Sequence, residues 1–419
     1  MPIVRTRGHG ASGRCRTAVR RRPAVDDAAG GTPARATDRR AGAGLARGVP
    51  GRRHGMRTDV IRPLNDRTGP FATVVMDATH DTATATEQYR LRWRDLRERL
   101  ADAGADDATL AVLDDAVTGA DAPDGTAGRI LVADAGRVLL DRHTEVPPER
   151  GTASWGAVPD LLPLLTAAGD DVPTVVVAVD RTGGRVRAVD GTVEAVGSDV
   201  PGPVHKAGTA GPGEGSADAR VEETLKRNAR AVAERVDELV RAGNAGLLVV
   251  AGDGPGRARL RDELAPASAE IMAEVENTGG TLPEQIDDTV RAAADDVREQ
   301  RRITAVTSYA TASGRSDGLA VSGVAGIAAA ARAHAVETLL VDPSAVPGTE
   351  LVLGADPTAV AATAADLLDD PVASAPAADA LIRAVAAADG VVVLARQDDD
   401  VRLEDGIGAV LRFPVGPQS

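Results

Sequence analysis

The segment from Val204 to Val240 constrains the fold most, because its two halves have opposite character. The first half, VHKAGTAGPGEGS, places His205 and Lys206 ahead of a run of glycines and a proline. It lacks an apolar period, so it predicts an exposed loop. The second half predicts an amphipathic helix of about six turns, capped by Ser216 or Asp218. Its inward positions are Val221, Leu225, Asn228, Val232, Val236 and Leu239. We expect a long loop on a stiff helix, a probe that enters a cavity in another molecule.

Charge divides the chain unevenly. Residues 1–55 carry 13 arginines against three aspartates, a charge of +10 within a chain whose net charge is −14. They show no hydrophobic periodicity, which predicts a disordered basic extension. This extension is either an arm for nucleic acid or sequence upstream of a true start at Met56. The whole chain of 419 residues has room for two to three domains.

The sequence argues against disulfides, metal sites, membrane spans and secretion. Cys15 is the single cysteine, which excludes an internal disulfide framework and a cysteine-based zinc site. The histidines lack metal-ligand spacing, so we expect no metal. No apolar run approaches the roughly 20 residues of a membrane span, and no secretory signal is visible, so we expect a soluble cytoplasmic protein without a membrane partner.

Two glycine-rich stretches resemble nucleotide loops only superficially. Gly211, Gly213 and Gly215 lack the lysine that a phosphate-binding loop requires. Gly252, Gly254 and Gly256 have GxGxG spacing instead of GxGxxG, which favours a plain turn between a strand and a helix. We therefore expect no cofactor.

The pattern of elements predicts an α/β protein of three mixed domains. Residues 56–170 form the first, with a strand at Pro70–Ala78, a hairpin at Arg129–Leu140 and a short helix at Pro159–Ala168. Its long helix should turn Leu91, Leu96 and Leu100 inward, with Arg90, Arg94 and Arg97 on one side.

Residues 171–303 form the predicted central domain. A hairpin turning at Arg181–Gly184 and a strand at Thr192–Val196 precede the probe, and the apolar run Gly246–Ala251 predicts a strand buried on both faces. A helix at Ala258–Leu264 and a strand at Ile271–Val275 follow. The helix Pro283–Arg302 should end in the basic residues Arg298, Arg301 and Arg302.

Residues 304–318 read as a linker, and residues 319–419 as a C-terminal α/β/α sandwich. The pattern predicts helices at Val321–Ala333, Ala355–Leu368 and Ala378–Ala388. It predicts strands at Thr338–Val341 and Gly390–Ala395.

Several stretches resemble one protein family in the same order along the chain. They are PFATVVMDATHDT, HKAG with DARVEETLKRNARAVAERV, AVSGVAGIAAAARAHAVETLLV, and EDGIGAVLRF. They resemble bacterial, largely actinobacterial, homologues of the archaeo-eukaryotic class-1 release factors and Pelota, including the Balon-like group of ribosome-hibernation factors. The resemblance implies an N-terminal domain at the decoding centre, a central domain in the peptidyl-transferase centre, and a C-terminal domain that docks a partner such as a translational GTPase.

One departure from the release factors bears directly on activity. They carry Gly-Gly-Gln at the tip of the central loop, whereas this chain has no glutamine between Gln88 and Gln285. The corresponding loop holds His205, Lys206, Gly208, Gly211, Gly213, Glu214 and Gly215. Glu214 could act as a general base, yet a carboxylate is repelled by RNA phosphates. We therefore expect a protein that is not an enzyme, with His205 and Glu214 as the catalytic candidates if it is one.

Contact with RNA requires local positive charge on an acidic chain. The candidates are Arg181, Arg185, Arg187, Arg220, Lys226, Arg227 and Arg230, of which Lys226 and Arg230 share a helix face. Candidates for the decoding centre are His80, Asp81, Arg90 and Arg94, although the arginines could equally form a solvated face.

The sequence leaves three functions open. The first is a monomeric ribosome-binding factor that fills the vacant A site, contacts rRNA and acts in hibernation or stress without hydrolysis. The second is a peptidyl-tRNA hydrolase or a release or rescue factor that uses the 205–215 loop. The third is a stress-response adaptor that acts away from the ribosome.

Overall fold

The protein is described here by a computed structural model. It describes residues 61–65, 67–80, 84–119, 125–144, 146–168, 172–180, 183–197, 214–276 and 286–416. The basic extension 1–55 and most of the predicted probe loop lie outside these residues. The described residues form a mixed α/β fold, as the sequence predicts, with each sheet packed against helices. The division into three domains stays a prediction, so the parts are called regions below.

The N-terminal region (61–168) is built on an antiparallel sheet of order β3-β2-β1-β4. Its elements are α1 (Arg62–Asn65), β1 (Phe71–Asp77), α2 (Ala85–Asp102), α3 (Asp107–Gly119), β2 (Gly128–Asp134), β3 (Arg137–Thr144), β4 (Thr152–Gly156) and α4 (Leu161–Ala168). Strand residues alternate between the two faces, so Val74 and Met76 pack against α2 and α3 while Phe71 and Val75 join a core on the other face.

The inward face of α2 differs from the predicted one. Leu91 is exposed, whereas Tyr89 and Trp93 are buried with Leu96 and Leu100. Trp93 turns inward because its Nε1–H donates to the carboxylate of Asp114 at 2.9 Å, so the ring is buried without losing its hydrogen bond. The prediction for Leu91 was therefore wrong.

The central region (172–276) carries a five-stranded sheet of order β7-β6-β5-β8-β9. Its elements are β5 (Thr174–Val179), β6 (Gly184–Arg187), β7 (Val193–Val196), α5 (Glu214–Ala242), β8 (Leu247–Gly252), α6 (Gly254–Glu263), α7 (Pro266–Glu270) and β9 (Met272–Glu276). β8 is buried along its whole length between two parallel neighbours, as its apolar run predicts. Helices α5 and α6 cover one face of this sheet, and helix α8 covers the other.

Helix α8 (Asp287–Ser313) connects the central and C-terminal regions without a break. Ile286 and Val290 pack on the central sheet, while Ala305 and Tyr309 pack on the C-terminal sheet. The prediction that a helix ends at Arg302 was wrong, because Arg298, Arg301 and Arg302 lie in the middle of α8. Residues 304–313 were expected in a linker but continue the helix. Their apolar side chains, such as Ala305 and Tyr309, pack on the C-terminal sheet and stabilise these turns.

The C-terminal region (319–416) is a mixed sheet of order β10-β16-β11-β15 between α8 on one face and α9 and α10 on the other. This is the predicted α/β/α sandwich. Its elements are β10 (Ala320–Ser322), α9 (Val324–Arg332), β11 (Val336–Val341), β12 (Glu350–Leu353), β13 (Val360–Ala361), β14 (Ala373–Pro376), α10 (Ala377–Ala387), β15 (Val391–Leu394) and β16 (Ile407–Leu411).

The predicted helix Ala355–Leu368 was wrong. Its residues instead contribute β13 to a small antiparallel sheet of order β13-β12-β14, followed by a short 3-10 turn at Ala364–Asp366. Alanine-rich composition favours a helix, but pairing of Val352 with Ala361 in the sheet outweighs that preference. The helix predicted from Val321 begins at Val324, because Val321 pairs in β10.

The N-terminal and C-terminal regions share one hydrophobic core, in which Leu161 and Leu164 of α4 join Leu381 and Ile382 of α10. Arg383 of α10 also donates to the carbonyl of Arg67, at 3.0 Å. The central region has separate cores and is joined to the sandwich through α8.

Candidate functional site

Helix α5 is fastened to the central sheet by its C-terminal half. Asn228, Val232, Val236 and Val240 are buried, and their spacing of four residues keeps them on one face of the helix. The three valines pack against Val177 and its neighbours in the sheet, in one continuous core. The inward positions predicted for Asn228, Val232 and Val236 are therefore confirmed.

The N-terminal part of α5 extends beyond that core. The helix begins at Glu214, before the predicted caps Ser216 and Asp218. Between Val221 and Arg227 none of the side chains is buried, and Val221, expected inward, is 47% exposed. Glu214 is therefore about 21 Å along the helix axis from Asn228, at 1.5 Å per residue. Between Val221 and Arg227, α5 therefore presents about two turns in which most side chains are exposed.

Two cations on this exposed part are unneutralised. Within the part of the chain that the structure describes, Lys226 and Arg227 are exposed and make no ion pair or hydrogen bond. Arg230 contacts Glu234 at 3.0 Å, an exposed i, i+4 pair that solvent screens strongly. Arg259 of α6 contacts Glu222 at 3.3 Å and ties the start of α5 to its neighbour.

The other predicted RNA-binding residues are not all on this face. Val186 packs beneath α5, so Arg185 and Arg187 point from β6 to the opposite face of the sheet. There Arg187 forms an ion pair with Asp287 of α8 at 2.6 Å, while Arg185 is exposed. The structure thus brings together Lys226, Arg227 and Arg230 and separates them from the hairpin arginines.

Several predicted site residues lie outside the described residues. They are Asp81, Arg181, His205, Lys206, Gly208, Gly211 and Gly213, together with the side chain of Arg220. The backbones of Glu214 and Gly215 belong to the first turn of α5 rather than to a loop.

The decoding-centre candidates lie around the start of α2. His80 is held by weak polar contacts, with Nε2 3.3 Å from Oγ1 of Thr86, and its ring lies edge-on to Tyr89. Arg90 and Arg94 are exposed and have no ion pair within the described part of the chain. The third arginine of this row, Arg97, is instead paired with Asp114 at 2.8 Å.

The glycine turn after β8 has a structural role. Gly252 has φ +139°, and a Cβ there would overlap the carbonyl oxygen of Val179. Asp253 caps α6 by accepting a hydrogen bond from Gly256 N–H at 2.7 Å. The side chain at the start of α6 is thus a carboxylate, which repels anions and already accepts a hydrogen bond from the helix. The plain strand–helix turn predicted from the spacing is confirmed.

Sequence reasoning missed the polar contacts at the junction of α4 and α10. Asp379 is 5% exposed and accepts hydrogen bonds through Oδ1 from the backbone N–H groups of Leu161 (2.8 Å) and Leu162 (3.0 Å). Burial, together with repulsion from Asp160, raises the pKa of Asp379 to about 7. An aspartate in the first turn of an alanine-rich helix was the available signal.

Metal chemistry and membrane insertion find no support among the described residues. No group of three or more His, Cys, Asp or Glu side chains there could hold a metal ion. No helix in the described part of the chain is both long and apolar enough to cross a bilayer.

The sequence of this chain is similar to that of a known protein family. The family model described as bacterial archaeo-eukaryotic release factor family 2 matches residues 173–315, the central region together with α8. The uncharacterized protein Rv2629 of Mycobacterium tuberculosis (strain H37Rv) is 32% identical over 372 residues, covering 85% of this chain and 97% of the relative. The uncharacterized protein MT2704 of strain CDC 1551 matches equally well.

Similarity to solved structures is more distant. The archaeal translation termination factor aRF1 is 13% identical, with coverage of 84% of this chain and 96% of that one and a TM-score of 0.23. Dom34 of S. cerevisiae, a translation termination-like factor, is 11% identical, with coverage of 70% and 81% and a TM-score of 0.38. Superpositions this loose carry no argument about function. The full-length relative and the family model together are sufficient: this chain belongs to the bacterial archaeo-eukaryotic release factors of family 2.

Proposed function

We propose that this protein is a ribosome-binding translation factor that occupies the vacant A site without hydrolysing peptidyl-tRNA. In this proposal the segment 205–215 enters the peptidyl-transferase centre, and α5 is the stalk that carries it. The physiological role is to keep idle ribosomes in a protected state during stress, as a hibernation factor does.

The start of α5 is the observation that carries the proposal. Helical stability in proteins comes mostly from the packed face. Between Val221 and Arg227 that face is reduced to the half-buried Thr224 and Leu225, and the other side chains are exposed. No side chain between Val221 and Arg227 is buried, so this part of α5 is accessible to another molecule. We take contact with such a molecule to be its role. The glycine-rich segment directly precedes Glu214 in the sequence, so it is connected to the N-terminal end of α5.

The charges on the stalk suit an RNA surface. The chain as a whole carries −14, so affinity for phosphate depends on local cations that are not already neutralised. Lys226 and Arg227 meet this requirement within the described residues, because no carboxylate pairs with either. Contacts from these cations to rRNA backbone would release counterions and position the stalk.

Membership of a release-factor family supports the ribosome as the partner, and the composition of the tip argues against hydrolysis. The archaeo-eukaryotic class-1 release factors carry a glutamine at the tip of this loop, and that glutamine has no counterpart between Gln88 and Gln285. Glu214, the alternative base, begins α5. Its negative charge would be repelled by the phosphates that surround a peptidyl-transferase site.

Sedimentation with purified 70S ribosomes at low salt tests whether the protein binds. Adding tRNA to the A site beforehand tests whether it binds there. We expect the protein to pellet with vacant ribosomes and to be displaced when tRNA fills the A site beforehand. Failure to pellet would remove the ribosomal function and favour an adaptor that acts elsewhere.

Release of labelled peptide from ribosomes that carry peptidyl-tRNA tests the absence of hydrolysis. We expect no release above the rate without the factor. Release by the wild-type protein that is lost in a His205→Ala, Glu214→Ala variant would contradict the proposal and establish the hydrolase alternative.

A further inference from the structure

The connection between β13 and β14 presents an apolar side chain entirely to solvent. Leu368 is 101% exposed, and Val372, four residues later, is 63% exposed. Residues 362–372 are called the acidic loop below. Single exposed apolar residues are common on protein surfaces, but a fully exposed leucine with a second apolar neighbour in one short loop marks a candidate contact surface.

The charge around these side chains has one sign. Residues 349–376 contain five carboxylates and no lysine, arginine or histidine. Asp366, Asp369 and Asp370 lie in the acidic loop itself and form no ion pair within the described part of the chain. The exposed leucine is therefore flanked by negative charge that no ion pair among the described residues neutralises.

The loop is held in place at both ends. Val372 N–H donates to the carbonyl of Leu353 at 2.9 Å, and Oγ1 of Thr363 donates to the carboxylate of Asp366 at 2.7 Å. The sheet beneath is anchored by Leu351 and Leu353, which are buried in the core shared with α10. A loop fixed in this way displays Leu368 at a low cost in conformational entropy, which favours binding.

We propose that the acidic loop is a docking surface for a positively charged ribosomal protein, with Leu368 inserted into an apolar pocket on that protein. The occupant follows from charge complementarity, since unpaired carboxylates attract a basic protein surface and repel RNA phosphates and anionic lipid. This inference rests on the proposed ribosomal function and adds a second contact, of different chemistry from the cationic stalk.

Site-specific photocrosslinking identifies the class of partner. The full-length chain with p-benzoylphenylalanine at position 368 is bound to 70S ribosomes and irradiated, and the same probe at position 226 serves as the comparison. We expect position 368 to crosslink to a ribosomal protein and position 226 to crosslink to rRNA. Crosslinks from position 368 to rRNA, or none from a bound complex, would overturn the docking proposal.

Affinity measurements separate this contact from the stalk. We expect Leu368→Ala to weaken ribosome binding roughly tenfold, the low end of what a buried leucine contributes. Val146→Ala is the matched control, because Val146 is 73% exposed in the N-terminal region and should leave affinity unchanged. Replacing the three loop aspartates by asparagine should weaken binding at low salt, and the difference should shrink near about 0.5 M salt, where charges are screened.

The outcomes distinguish the two proposals. Wild-type protein that binds ribosomes with an affinity insensitive to Leu368→Ala would overturn only the docking surface. Wild-type protein that does not bind at all would overturn both.

Discussion

Asp379 of α10 caps the first turn of α4 by accepting a hydrogen bond from the backbone N–H of Leu161 at 2.8 Å. The two residues are 218 positions apart, so this contact connects the N-terminal and C-terminal regions across one hydrophobic core. The N-terminal and C-terminal regions are thereby joined, and the central region, held by α8, carries the stalk.

The first prediction concerns this cap. Asp379→Ala leaves the buried N–H groups of Leu161 and Leu162 without an acceptor, which should lower the free energy of unfolding by about 1–2 kcal/mol. Asp379→Asn keeps an acceptor oxygen and should cost less. Urea unfolding of both variants measures the difference, and equal losses would contradict a role as acceptor.

The second prediction is the pH dependence of the same group. The pKa of Asp379 is about 7 in the folded protein, against an ordinary value of 3.8, because the carboxyl is buried near Asp160. The folded state therefore binds the proton more tightly, and this group's contribution to stability is lost as pH rises from about 4 through 7. Both cap hydrogen bonds use Oδ1, which leaves Oδ2 free to hold the proton.

Between pH 8 and pH 5.5 the group should add about 2 kcal/mol of stability, on the basis of 1.36 kcal/mol per pKa unit. Asp379→Asn should remove this component from the pH profile of urea unfolding. A variant whose profile parallels that of the wild-type protein would contradict the assignment.

The third prediction concerns Arg129, which is 2% exposed and pairs with both carboxylate oxygens of Asp141 at 2.8 and 2.6 Å. Asp141→Ala leaves a buried charge without its carboxylate and should cost about 3–5 kcal/mol. The matched control is Asp95→Ala, which breaks an exposed pair with Arg99 and should cost less than about 1 kcal/mol. Thermal unfolding monitored by circular dichroism compares them, and similar losses would contradict the burial argument.

The fourth prediction concerns α8 as the rigid connection. Ile303 is 44% exposed between the two halves of α8 that pack on different sheets. Ile303→Pro should break the helix at a cost of about 3 kcal/mol or more and let the central region move against the sandwich. Ile303→Ala is the control that keeps the helix. Distances between spin labels on α5 and α10 should broaden only in the proline variant, and an unchanged distribution would exclude α8 as the determinant of their arrangement.

Much of the fold could be predicted from sequence because its signals are local. The apolar run of β8 and the periodicity of Val232, Val236 and Val240 in α5 require no knowledge of partners. The helix predicted at Ala355–Leu368 failed because strand pairing between Val352 and Ala361 decides that segment. Such pairing depends on contacts between strands, which the composition of one segment does not reveal.

The site was predictable only in part. Lys226 and Arg230 are on exposed positions of α5, but Val221, expected inward, is exposed as well. Arg187 is neutralised by Asp287, a partner that only the folded arrangement supplies. The polar contacts of Asp379 were missed for the same reason, since both of its donors lie in another region of the chain.

The fifth prediction tests the cationic stalk. Replacing Lys226 and Arg227 by alanine should weaken ribosome binding and reduce the slope of log affinity against log salt by about 1.4–1.8, since each phosphate contact contributes about 0.7–0.9. Arg241→Ala is the matched control, because Arg241 is exposed at the opposite end of α5. An equal loss of slope in this control would show that binding depends on overall charge and not on the stalk.

Cryo-electron microscopy of the protein bound to vacant 70S ribosomes is the most direct measurement of the proposed function. We expect α5 to point into the A site, with residues 205–215 at the peptidyl-transferase centre, and a parallel reconstruction with peptidyl-tRNA should show its ester bond intact. Density for the central region anywhere outside the A site, or ribosomes that carry no factor at saturating concentration, would contradict it.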